Sequence, residues 1–162
     1  MAALIGEARG PADIAGCRVL FEEYQRGLGV DLCFQDFARE LATLPGDYAP
    51  PRGRLLIARD GAEPVGCVAL RPLGAVECEM KRMYVRPSHR GSGLGRALAE
   101  RIVAEARSIG YRRIKLDTLP RLAAAIALYE SMGFAEAARY NDNPVEGVRY
   151  FALDLAATSA VR

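Results

Sequence analysis

Positions 78–97, CEMKRMYVRPSHRGSGLGRA, limit what this chain can become more than any other stretch. The first half, Glu79 to Val85, reads as a buried strand. The second half sets Gly91, Gly93 and Gly95 in the turn Arg90-Gly91-Ser92-Gly93-Leu94-Gly95, and the longest amphipathic helical pattern of the sequence starts directly behind it. Strand, glycine turn and helix N-terminus together make a phosphate-binding arrangement. Glycines let backbone approach an anion closely, while the unpaired N–H groups of the first helical turn and the helix dipole hold its charge. The expected ligand carries phosphate.

The flanking sequence places this turn in a larger order. Ala2 to Ala8 is a short apolar run suited to an edge strand, and Gly10-Pro11-Ala12-Asp13 carries turn and N-cap chemistry ahead of a helix running to about Gly27. Ile14, Cys17, Leu20, Phe21 and Tyr24 share one face of it. A second helix is expected from Phe34 to Leu44, stopped by Pro45-Gly46, with a surface loop over Asp47 to Gly53. Arg54 to Arg59 and Pro64 to Arg71 read as strands around an Asp60-Gly61 hairpin signal, with a loop longer than two residues. Behind the glycine turn, Leu94, Leu98, Ile102, Ala106 and Ile109 form one stripe, and Gly110 suits the residue that ends a helix. Arg113 to Leu119 is then a strand, and the intervening helix makes it parallel to the strand ending at Val85. A last helix over Arg121 to Met132, loop chemistry at Tyr140 to Pro144 and a strand over Val148 to Leu155 complete the order. The expectation is an α/β, layered α+β, fold: a mixed sheet of about six or seven strands flanked by about four helices, in one domain over residues 1–162.

Composition excludes several functions. Lys plus Arg total 22 against 20 Asp plus Glu, a formal charge of +2, which lacks the basic surplus of generic nucleic-acid binding. No apolar run approaches the roughly 20 residues of a membrane span, and Glu7 and Arg9 fall where a signal peptide needs its apolar centre. A cytoplasmic setting is expected. Cys17, Cys33, Cys67 and Cys78 fall singly and His89 is the only histidine, so zinc sites, histidine-based triads and disulfide frameworks are not expected, and no metal is assigned.

Arg90-x-x-Gly93-x-Gly95 after Met83-Tyr84-Val85, followed about 35 residues on by Leu128-Tyr129-Glu130-Ser131-Met132-Gly133-Phe134, resembles the GNAT superfamily of acetyl-CoA-dependent N-acetyltransferases. The resemblance covers nearly the whole chain, in the order helices, three-strand meander, glycine turn and helix, parallel strand, LYxxxGF helix and closing strand. It implies acetyl-CoA as donor, with the backbone of Gly91, Ser92, Gly93, Leu94, Gly95 and Arg96 on the pyrophosphate and Arg90 and Arg96 supplying charge. It also implies a bulge near Tyr84 and a splay from the next strand, so that Met83, Tyr84 and Val85 meet the pantetheine arm. Many relatives carry an asparagine seven residues before the tyrosine. Here Leu122 stands in that place, leaving the contact to Thr118 or a backbone group.

Acetyl transfer to an amine needs a base, donors for the developing oxyanion and an acid for the departing thiolate. Glu79, through a water, is the expected base, with Glu77 as its competitor; backbone N–H groups of Met83 to Val85 are the implied donors; Tyr129 is the implied acid. The plain alternatives are a packed aromatic for Tyr129 and a solvated strand carboxylate for Glu79. The function expected is direct transfer, in a ternary complex, to a primary amine of a small molecule. A non-catalytic acyl-CoA sensor of the same fold and a dinucleotide-binding oxidoreductase are the alternatives. The second resembles the chain only in a glycine turn followed by Asp117, and Arg96 stands where GxGxxG needs its last glycine. Glu77, Glu79, Asp117 and Asp142 suit a cationic acceptor, whereas Arg71 and Arg82 suit a carboxylate. A homodimer is left open.

Overall fold

The computed structural model describes residues 3–30, 32 and 36–155. Seven strands, β1 (Leu4–Glu7), β2 (Arg54–Asp60), β3 (Glu63–Pro72), β4 (Glu77–Val85), β5 (Arg113–Thr118), β6 (Ala135–Glu136) and β7 (Arg149–Asp154), form one sheet in the order β1-β2-β3-β4-β5-β7-β6. Helices α1 (Gly10–Leu28), α2 (Phe37–Ala42), α3 (Leu94–Ile109) and α4 (Ala123–Ser131) cover it. The β4–β5 pair is parallel and every other described pair is antiparallel. This is the mixed, helix-flanked sheet expected.

Alternating strand residues divide the core into two layers. On one side, Leu56, Val68, Leu70, Cys78 and Met80 pack with the α3 stripe of Leu94, Leu98, Ile102 and Ala106. On the other, Leu55, Ile57, Cys67 and Ala69 pack with Cys17, Leu20 and Phe21 of α1. Fully burying a leucine- or isoleucine-sized side chain contributes about 1.5–3 kcal/mol, so these two apolar faces seat the helices. Gly66 sets the depth of one of them. A Cβ there would lie 3.1 Å from Leu98 Cδ1, so its absence lets α3 rest on β3 beside the glycine turn.

Several boundaries differ from expectation for identifiable reasons. α1 starts at Gly10 because Asp13 reaches back and accepts the Arg9 N–H at 2.8 Å. α2 is shorter than the expected Phe34 to Leu44, and Phe34 lies outside the described residues. Part of the expected Asp47 to Gly53 loop is instead a 3₁₀ turn over Gly46–Tyr48. The first hairpin closes with only Gly61 and Ala62 between paired Asp60 and Glu63; Gly61, at φ 63°, supplies the left-handed residue this tight loop needs. α4 is trimmed to Ala123–Ser131, and the short β6 was not foreseen.

The irregularity that shapes the site is in β4. Cys67 pairs with Tyr84 and Ala69 with Lys81, so Val68 faces two residues, Arg82 and Met83. The bulge therefore lies at Arg82–Met83, just before the expected Tyr84, with Arg82 at φ 61°. On the opposite edge β4 pairs with β5 only from Glu77↔Arg113 to Glu79↔Lys115. Beyond Glu79 the two strands part, while β5 continues to Thr118 against β7.

Candidate functional site

A small cavity of about 90 Å³ occupies the gap between the parted strands. Met80, Lys81, Arg82 and Met83 of β4 line it from one side, Leu116, Asp117 and Thr118 of β5 from the other, and Leu122 and Tyr129 close it from α4 and its cap. A larger cavity of about 700 Å³ opens on the α2 side of the sheet, lined by α2, the 3₁₀ turn, Arg71, Lys81 and Asn141 to Asn143. Lys81 and Asn143 border both.

At the end of β4 the glycine turn leads into α3. Gly91 and Gly93 have φ of 79° and 88°, and a Cβ on either would meet nothing within 4 Å. Side chains are therefore excluded by backbone conformation, and the space above the turn stays open. The backbone N–H groups from Gly91 to Arg96 take no acceptor among the described residues, as the first turn of a helix requires. This donor row fits a pyrophosphate: it offers several N–H groups at a helix N-terminus of 16 residues with no side chain in the way. Arg90 donates from Nε to the Val85 carbonyl at 2.8 Å and lies over the Tyr84 ring at 5.6 Å. Arg96 is tied to Ser131 Oγ at 2.8 Å, linking α3 to α4. Because the Arg86 N–H bonds the Val65 carbonyl on β3, ladder alternation turns the N–H of Val85 the other way, toward the gap.

Tyr129 is buried, 6% exposed, with its ring 5.7 Å from that of Phe134. Its hydroxyl takes no hydrogen-bond partner among the described residues, yet no buried polar atom is stranded, because the side chain borders the small cavity. Burial, and then the neighbouring Tyr24, push its phenol above the ordinary value, so it keeps its proton.

Glu79 is fully buried. Its Oε1 accepts from Arg71 Nε at 2.8 Å and its Oε2 from the Tyr140 hydroxyl at 2.7 Å. Burial, and then Glu79, raise the Tyr140 phenol well above its usual value. Glu77 pairs with Lys115 at 2.9 Å, and the Lys115 ammonium lies 5.4 Å from the Tyr140 ring centre. Asp117 accepts from the side-chain amides of Asn141 at 2.9 Å and Asn143 at 3.1 Å, which pins the 139–145 segment over the end of β5. Arg82 does not face a ligand with its charge: it is bonded to Glu40.

The family model for the acetyltransferase (GNAT) family matches residues 17–134. The chain belongs to the GNAT family. An uncharacterised N-acetyltransferase of Schizosaccharomyces pombe is 40% identical over 154 residues, covering 94% of both chains. Among solved structures, an acetyltransferase from Streptococcus agalactiae superposes with a TM-score of 0.78 over 94% of this chain and 98% of that one, at 24% identity. A Salmonella typhimurium protein assigned as an acetyltransferase, solved with its cofactor acetyl-CoA, does so with a TM-score of 0.68 over 96% and 95%, at 23% identity. This GNAT protein is accordingly an acetyl-CoA-dependent N-acetyltransferase.

Within the GNAT fold, Met83, Thr118 and Tyr129 gather around the small cavity. Arg90, Gly91, Ser92, Gly93, Leu94, Gly95 and Arg96 form the turn at the head of α3, and Tyr84 and Val85 join the two. Glu79 stands apart, behind Arg71 and Tyr140. Sequence reading places the Tyr140 to Pro144 segment in the acceptor pocket without giving Tyr140 or Asn143 a role, and it misses Lys81. Lys81 was detectable, since it is two residues beyond Glu79 on the same face of a strand. Tyr140 carried no local signal, lying 61 residues from its partner. Among the described residues no group of three or more His, Cys, Asp or Glu is placed to hold a metal, and no helix is long and apolar enough to cross a membrane.

Proposed function

We infer that the chain works as one catalytic domain that transfers the acetyl group of acetyl-CoA directly to the primary amine of a small molecule held in the larger cavity. The observation that carries this reading is the meeting of two cavities at Lys81 and Asn143, one in the gap between the parted strands beside Met83, Thr118 and Tyr129 and the other broad and polar. Donor and acceptor can thus be held together, which a ternary complex requires. Bound acetyl-CoA supplies a thioester carbonyl open to attack. Gly91 to Arg96 hold its pyrophosphate with backbone N–H groups, Arg90 and Arg96 add positive charge, and Met83, Tyr84, Val85 and Thr118 line the way for its arm.

The chain's own groups then move protons. As the nitrogen–carbon bond forms and the carbon–sulfur bond breaks, the sulfur leaves with the bonding pair and Tyr129 gives it a proton. Glu79 receives the amine's proton, through a water or through the Tyr140 hydroxyl that donates to it. The Val85 N–H, turned to the gap, is the donor for charge developing on the carbonyl oxygen. Amide and free thiol result. Three described cysteines that are free, buried thiols fit a cytoplasmic setting.

Thiol release from acetyl-CoA over a panel of small amines, alongside calorimetric titration, tests the reading. Saturable release with at least one amine is expected, with acetyl-CoA binding weakened by Arg90→Ala. Binding without release for every amine would make the protein a sensor, and tight NAD binding in place of acetyl-CoA would overturn the reading altogether.

A further inference from the structure

The larger cavity is charged differently at its inner wall and at its rim. Arg71 is built into the wall: its Nε is fixed to buried Glu79, and its side chain is only 35% exposed. That bond uses one edge of the guanidinium and leaves the terminal nitrogens toward the cavity, where Nη1 meets Asp47 at 4.0 Å. Asp47, 79% exposed and at the limit of ion-pair distance, neutralises little of that charge. Lys81 borders the same wall where the two cavities join, and burial pulls its ammonium below the ordinary lysine value. The acids of this cavity are otherwise placed. Glu40 is engaged by Arg82 and Tyr48, and Asp36 and Asp142 are exposed at the rim.

A bare ammonium ion meets the Arg71 and Lys81 cations at this inner wall, with Glu79 buried behind Arg71. A carboxylate is drawn to the wall, because a guanidinium whose plane is already fixed loses little freedom in making a two-pronged, charge-assisted pair. We propose that the acceptor is a small amine bearing its own carboxylate a few bonds from the nitrogen, as an α-amino acid does, with that carboxylate on the terminal nitrogens of Arg71. The amine then lies at the junction beside Lys81 and Asn143, next to the small cavity. The inference rests on the acetyltransferase reading and adds the acceptor's class to it. It also joins recognition to chemistry. The cationic wall that binds the carboxylate favours the neutral, nucleophilic form of the adjacent amine, and the carboxylate offsets the repulsion that would oppose its entry. A cavity of about 700 Å³ accommodates any of the common amino acids with room for the side chain.

The test is thiol release from acetyl-CoA with each of the common L-amino acids, its carboxamide and its decarboxylated amine, together with spermidine and a short peptide with a free N-terminus and an amidated C-terminus. The best amino acid is expected to exceed its two neutral analogues in kcat/KM by roughly tenfold to hundredfold, the worth of a pair of charge-assisted hydrogen bonds. Arg71→Gln, whose amide can still bond Glu79, should collapse that ratio toward one, chiefly through the KM of the acid, while Arg71→Lys keeps part of it. The KM for acetyl-CoA is the folding control. Analogues, spermidine or the peptide turning over as well as or better than the acids overturn the proposal while leaving the acetyltransferase reading intact. A ratio unchanged in Arg71→Gln removes Arg71 from recognition and overturns it too. If acetyl-CoA neither binds nor releases thiol with any amine, the acetyltransferase reading fails and the proposal falls with it.

Discussion

Arg82 and Glu40 meet as a two-pronged pair, Nε to Oε2 at 2.8 Å and Nη2 to Oε1 at 2.7 Å, with side chains 2% and 15% exposed. The pair joins the bulge of β4 to α2, and Tyr48 adds a third bond to Glu40 at 2.9 Å. Phe37 and Tyr24 flank the guanidinium at 5.1 and 5.7 Å. One ion pair thus positions a residue of the small cavity and a residue of the large one.

Glu40→Ala should therefore be among the most damaging single changes outside the apolar core. It removes the counter-charge of a buried cation, which typically costs about 3–5 kcal/mol. Urea unfolding of Glu40→Ala, Arg82→Met and the double variant checks this. The double variant should recover much of the loss, and simple additivity would show that the two groups act independently.

Acid should weaken the fold through the same pair. Burial disfavours the Glu40 carboxylate, but the hydrogen bonds and charge of Arg82, with the Tyr48 hydroxyl, outweigh it and hold the group below its ordinary value. Arg86 does the same for Glu23 through its hydrogen bonds. A carboxyl depressed in the folded state adds stability above its unfolded value, about 4.3, and that stability is lost as pH falls through the folded value. Stability measured by urea unfolding should be flat near neutrality and decline below about pH 4. Glu40→Gln should be less stable at pH 7 and lose part of that slope.

Gly93→Ala separates backbone from ligand effects. With φ at 88° an added Cβ costs on the order of 1 kcal/mol, yet it meets no protein atom within 4 Å. Thermal unfolding should show a modest loss. Acetyl-CoA titration should show a larger one, roughly tenfold or more in Kd, if the pyrophosphate sits as proposed, because the methyl group would then enter its space. An unchanged Kd would place the pyrophosphate elsewhere.

Tyr129→Phe should lower kcat by about a hundredfold, within the range of general acid catalysis, with KM for acetyl-CoA little altered. The hydroxyl bonds no described residue, so packing and stability should be preserved. Turnover within a few-fold of the parent would rule out the proton-donor role.

Cys17, Cys67 and Cys78 are buried, and burial pushes the Cys17 and Cys78 thiols up to about 12 and that of Cys67 well above its ordinary value. Thiolate is the reactive form, so iodoacetamide at pH 8 should leave these three unmodified in the native protein and label them in urea, as read by peptide mass mapping.

What was legible in the sequence was local. The strand, glycine turn and helix of residues 79–109, the stripe from Leu94 to Ala106, and the parallel relation of β4 and β5 all follow from periodicity, glycine conformation and the handedness of a crossover, which act over a few residues or one connection. The resemblance carried by Arg90 to Gly95 and Leu128 to Phe134 added the acetyl-CoA donor and named Tyr129 as the candidate acid. The tertiary structure decided which charges remain available to a ligand. Glu79 is held by Arg71 Nε and Tyr140, while Arg71 itself still lines the larger cavity; Arg82 is bound to Glu40, and Glu77 to Lys115. Those partners lie up to 61 residues apart, and a buried charge is silenced or displayed only by what packs against it.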